Sequence, residues 1–82
     1  MSEAEKANKF ETSDFYLAVY FKSKGSKLES ARKLPNSNKV IFSFEYNGQD
    51  LETKKFYNKE CSIEPVIFIS AIRELKGMTR TL

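Results

Sequence analysis

The sequence predicts a small single-domain α+β protein, a β-hairpin covered by two or three helices in the order α-β-β-α-α. Three observations carry this expectation. A dense apolar stretch, Phe15 to Phe21, follows residues able to cap a helix; Lys39 to Tyr46 alternates apolar and polar side chains; and Glu64-Pro65 opens a last apolar-faced segment that Gly77 closes. At 82 residues the chain makes one domain. A domain of this size buries only about 60% of the surface its unfolded form exposes, so the core is small.

Residues 1–9 are polar and lack apolar periodicity, which predicts a flexible N-terminal tail, with order beginning near Phe10. Thr12, Ser13 and Asp14 supply cap oxygens for the first helix, and Phe10 can pack back onto its first turn. At 100° per residue, Phe15, Leu17, Ala18, Val19 and Phe21 cover an arc of roughly 200°, wider than a surface helix needs, so this helix is expected deep in the fold. Lys22 and Lys24 suit its negative end, and Gly25 stops it.

Lys27 to Leu34 and Lys39 to Tyr46 form the hairpin around the turn Pro35-Asn36-Ser37-Asn38. Val40, Phe42, Phe44 and Tyr46 share one face, with Val40, Phe42 and Phe44 expected to lie against the first and last helices and Tyr46 in the core or at its rim; Ile41, Ser43 and Glu45 share the other. Asp50 to Asn58 is a short helix capped by Asp50. The last helix runs from Val66 to Lys76, with Phe68, Ala71, Ile72 and Leu75 on one face. The domain thus covers 10–77 and leaves a C-terminal tail over 78–82. A hairpin leaves sheet edges free, and pairing with a second copy would give a four-stranded sheet across a two-fold axis.

The absent residue types narrow the function. With no His, the chain cannot build a His-dependent nucleophile system, and one Cys cannot close an intramolecular disulfide or assemble a zinc site. Cys61 reads as a small half-buried thiol, because Glu60 offsets the neighbouring Lys59. Asp14, Asp50 and Glu64 read as caps and first-turn acids, not as an acid/base pair. Catalysis, a cofactor, a metal and a small-molecule substrate are therefore not expected. The lack of a signal-like segment or a membrane span, together with the lack of disulfides, points to a cytoplasmic protein.

The net charge of +3 is unevenly distributed: residues 1–15 carry −2, residues 40–82 are neutral, and residues 22–39 carry +5. Lys22, Lys24, Lys27, Arg32, Lys33 and Lys39 supply that excess, and on one surface they can track a phosphate backbone. Tyr16, Tyr20 and Lys24 are four residues apart, which places two stacking groups beside the cations on the helix face opposite the apolar arc. Weak nucleic-acid binding is one expectation. A solvated face that keeps the protein soluble is the plain alternative for the same charges.

A protein-interaction module, binding a partner protein or its own copy without nucleic acid, is the second expectation. Val66, Ile67 and Ile69 make the first turn of the last helix apolar nearly all round, more than one core-facing stripe requires.

The segments Phe10-Glu11-Thr12-Ser13-Asp14-Phe15 with Leu17-Ala18 and Gly25, Val40-Ile41-Phe42-Ser43-Phe44, Phe56-Tyr57-Asn58, and Glu64-Pro65 with Phe68, Ala71-Ile72 and Leu75-Lys76 also form a pattern. It resembles a family of short uncharacterised proteins of phages and bacterial mobile elements, a domain of unknown function. The resemblance covers Phe10 to Lys76 and implies a fold and a genetic setting rich in DNA-handling proteins and inhibitors of host systems. It implies no catalytic or binding residue, and the basic segment 22–39 lies outside the pattern.

Overall fold

Four residues ahead of the first helix cap form a strand, and this changes the expected topology. The computed structural model describes residues 9–82, in the order β1 (Lys9–Thr12), α1 (Phe15–Ser23), β2 (Leu28–Lys33), β3 (Val40–Glu45), α2 (Gln49–Tyr57) and α3 (Pro65–Thr79). Residues 1–8 of the expected tail lie outside the described residues. The fold is α+β, but the order is β-α-β-β-α-α and the sheet has three antiparallel strands, arranged β1-β3-β2.

The extra strand pairs Phe10 with Phe44 and Thr12 with Phe42, along the edge of β3 that the hairpin alone leaves open. Backbone groups there gain partners, and Phe10 joins the inner face. Its ring meets Phe21 at 5.1 Å, in the last turn of α1 and not the first. Between β2 and β3, Ala31 faces Phe42 and Lys33 faces Val40, with a bulge between Leu28 and Ser30. On the outer face, Ser43 donates a 2.7 Å hydrogen bond to Glu11, and Arg32 reaches the same carboxylate at 3.1 Å. The Arg32 guanidinium, then the Ser43 hydroxyl, hold the Glu11 carboxyl below its usual range. This bridge across the three strands accounts for a buried serine on an otherwise exposed face.

As its width of apolar arc implies, α1 is central: Leu17, Ala18, Val19, Tyr20 and Phe21 are all buried. Asp14 caps it, accepting from the Tyr16 and Leu17 backbone N–H groups. Gly25, at φ 95°, stops it in a conformation that costs an L side chain strain. Phe42 and Phe44 pack against its Phe15 and Phe21. The main contacts of α3 are with α1, not with the sheet, which corrects the expectation that the last helix covers the hairpin directly.

The short helix α2 is anchored mostly through polar groups. Gly48, at φ 87°, precedes it and Asp50 lies in its first turn, so Asp50 is not the cap. Buried Gln49 donates to the Glu45 carbonyl and accepts from the Asn47 N–H, both at 2.8 Å. Three tyrosine hydroxyls donate to carboxylates around the helix: Tyr20 to Glu52 at 2.8 Å, Tyr46 to Asp50 at 3.0 Å and Tyr57 to Asp14 at 2.6 Å. Tyr46 lies beyond the end of β3 and is exposed, so it does not continue the core face. In α3, Glu64 caps the first turn ahead of Pro65. Gly77 does not terminate this helix, which runs on to Thr79 and shortens the expected C-terminal tail.

Candidate interaction surface

The six cations of segment 22–39 are dispersed by the strands and helices that carry them. Lys22 sits in the last turn of α1 and approaches Glu74 of α3 at 3.9 Å. Arg32 lies on the outer sheet face, bound to Glu11. Strand alternation turns the next residue, Lys33, to the opposite face. There Lys33 and Lys39 border a cleft of about 430 Å³ floored by Phe15, Val40 and Phe42, near the start of α1. Lys24 and Lys27 belong to the other end of α1 and of β2, so the cations form separate groups and not one strip.

Tyr20 corrects the expected stacking pair. It is 1% exposed, because α2 covers the face of α1 that the sequence leaves polar; its ring packs on Phe56 at 5.3 Å and its hydroxyl is committed to Glu52. Lys24 lies over that ring at 5.8 Å. Only Tyr16 of the pair is exposed.

The first turns of α3 present a different surface. Phe68, Ala71, Ile72 and Leu75 face inward, as their spacing predicts, with Ala71 and Leu75 buried. Val66, Ile67 and Ile69 are 68%, 50% and 48% exposed, although each is a large aliphatic residue on a well-capped helix. Beside them is an apolar groove of about 370 Å³ between α3 and the α1/α2 pair, lined by Tyr20, Phe56, Cys61, Ile63, Pro65 and Phe68. Cys61 is half-buried in its wall. At 100° per residue, Ile69 lies between Pro65 of the groove wall and Val66, so the apolar surface continues from the groove around the helix to the exposed turn.

The same side of α3 is basic further along. Ile69, Arg73, Lys76 and Arg80 recur at spacings of four, three and four, and fall within an arc of about 60°. All four are exposed, and the three cations have no ion pair among the described residues. Summing charge over residues 40–82 conceals this stripe, because the balancing acids belong to β3, α2, the loop after it and the α3 cap, and the one acid within α3, Glu74, lies on another side of the helix and faces Lys22. The helical spacing itself was legible in the sequence. The groove was not, since Tyr20, Phe56 and Ile63 come together only through packing.

A family model matches residues 7–81, nearly the whole chain. The chain belongs to the DUF5659 family, a domain of unknown function. No curated protein and no solved structure matches it. In this DUF5659 chain the residues that carry the resemblance are largely structural: the Asp14 and Glu64 caps, the Phe42 and Phe44 core pair, and Ala71 and Leu75 on the inner face of α3. Val66, Ile67, Ile69, Arg73 and Arg80 are not part of that pattern, whereas Lys76 is. Among the described residues no helix is long and apolar enough to cross a membrane, and no group of three His, Cys, Asp or Glu side chains is placed to hold a metal.

Proposed function

We propose that this DUF5659 protein is a non-catalytic protein-interaction module, docking through the first turns of α3 and the groove beside them. The observation that carries the reading is the exposure of Val66, Ile67 and Ile69 on a helix whose inward face is already fully supplied with apolar residues. Leaving three large aliphatics about half exposed or more forgoes about half of the roughly 1.5–3 kcal/mol that full burial of each is worth, which a partner surface would recover. A cytoplasmic accessory role in a phage or mobile element, acting on a host or phage enzyme, fits the setting that the sequence resemblance implies.

The alternative, weak nucleic-acid binding through Lys22, Lys24, Lys27, Arg32, Lys33 and Lys39, has less support. Its cations are dispersed, two have carboxylate partners, and Tyr20 is unavailable for stacking.

Purified wild-type protein and a Val66→Ser/Ile67→Ser/Ile69→Ser variant, matched by circular dichroism and melting temperature, serve as baits in a bacterial lysate. Capture of a discrete protein by the wild type and its loss with the variant is the expected result. Equal capture by both baits, or by neither, removes the reading.

A further inference from the structure

Resting on that docking reading, we infer that the partner is an acidic amphipathic segment, a helix with an apolar stripe and carboxylates beside it. The surface has two parts in line. The groove walled by Phe56, Ile63, Pro65 and Phe68 accepts apolar side chains, and exposed Ile69 and then Val66 follow Pro65 around the helix. Along the same side of α3, Arg73, Lys76 and Arg80 present guanidinium and ammonium groups without carboxylate partners among the described residues.

The 15 residues of α3 extend about 22 Å. A partner helix of similar length, laid along this side, sets its apolar anchors over the first turns and its carboxylates opposite the cations. Helix-in-groove recognition of this kind reads anchors at i, i+3, i+4 and i+7. Charge complementarity at the rim fixes orientation and speeds encounter.

Charge also selects against the other occupants. A second copy laid parallel along the whole stripe sets Arg73, Lys76 and Arg80 of one chain against the same three cations of the other. Laid antiparallel, it sets Arg73 against Arg73 and the Lys76 and Arg80 charges against the aliphatic first turns. A nucleic acid satisfies the cations but leaves the aliphatic first turns and groove without an apolar partner. An acidic amphipathic helix satisfies both parts.

The test is selection from a displayed library of random peptides of about 16 residues on the immobilised full chain, followed by fluorescence anisotropy of the enriched sequences. Enriched peptides are expected to carry helically spaced apolar residues and net negative charge. Their affinity should fall about tenfold or more with Val66→Ser/Ile69→Ser, and by a similar factor, with a weaker salt dependence, with Arg73→Glu/Lys76→Glu/Arg80→Glu. These residues are exposed, so matched circular dichroism spectra and melting temperatures show that the variants are folded. Enriched peptides that need Val66 and Ile69 but are neutral or basic overturn the acidic partner and leave the docking reading standing. No enrichment, or peptides indifferent to Val66 and Ile69, overturns both. Salt-sensitive binding of 20-nucleotide DNA or RNA that the triple charge reversal abolishes, without acidic peptides in the selection, assigns the stripe to phosphate and also overturns the inference.

Discussion

Tyr20 joins three structural levels through one side chain. Its ring fills the space between α1 and Phe56, and its hydroxyl ties α1 to α2 through Glu52. Burial, and then the Glu52 carboxylate, push the phenol well above its ordinary pKa, while the hydrogen bond from Tyr20 holds the Glu52 carboxyl below its own. A raised folded-state pKa means that the folded form retains its proton longer than the unfolded chain. Stability from Tyr20 is therefore intact below pH about 10 and declines above it. The Glu52 contribution has the opposite sign, present above the ordinary carboxylate range and lost as pH falls through it. Tyr20→Phe is expected to cost about 1 kcal/mol at neutral pH and to make the alkaline limb of the unfolding curve shallower, as read by circular dichroism in urea. Phe44→Ala, at the centre of the sheet and 0% exposed, should cost about 3–5 kcal/mol. That is a large share of the stability of so small a domain, and thermal denaturation would show it as a collapse of the melting temperature.

At the scale of elements, the strands and helices differ in how far their own sequences specify them. The helix α1 has a side-chain cap, a wide apolar arc and a glycine stop, so local signals agree and its central position follows from them. The four residues of β1 hold too short an alternation to announce a strand; what makes them one is the open edge of β3. Phe10→Asp should therefore remove both a core ring and the reason for β1 to pair, exposing the β3 amides to hydrogen exchange with little change at α3. Gly77 illustrates the converse. Glycine near the end of an apolar pattern reads as a stop, yet the helix continues because the Lys76 carbonyl still accepts from Arg80 and the chain at 77 is helical. A Cβ at Gly77 meets open space, so Gly77→Ala should stabilise by about 0.5–1 kcal/mol and raise the melting temperature.

For the whole molecule, the arrangement of charge decides more than its total. Folding sends Lys22 toward α3, Arg32 to the outer sheet face and Lys33 with Lys39 to the cleft beside the start of α1, so the cations of the +5 segment are spread over different parts of the surface. Arg73, Lys76 and Arg80, drawn from a region neutral in sum, fall on one side of α3. A titration with single- and double-stranded DNA and RNA at about 50 mM salt should show no micromolar, salt-dependent binding that depends on Lys24, Lys33 or Lys39. Strand β1 covers the open edge of β3 and becomes the outer strand on that side, only four residues long and carrying Lys9 and Glu11. The exposed edge strand β2 carries Glu29, Arg32 and Lys33, charges that oppose pairing with another sheet. Sedimentation at micromolar concentration should accordingly show a monomer.

The sequence by itself determined the α+β class, the hairpin, the three helices, a cap among Thr12, Ser13 and Asp14, the cap at Glu64 and the inward face of α3. Each depends on residues within one or two turns of each other, or on strict alternation along one strand, and such short-range patterns survive in a linear reading. Only the tertiary structure decided the third strand, the burial of Tyr20, the dispersal of the six cations and the groove beside Val66 and Ile69. All four depend on which surfaces meet across long separations in the chain. Tyr20 lies on the helix face where a tyrosine can stay wet, and it is buried because α2, 32 residues away at Glu52, closes over it.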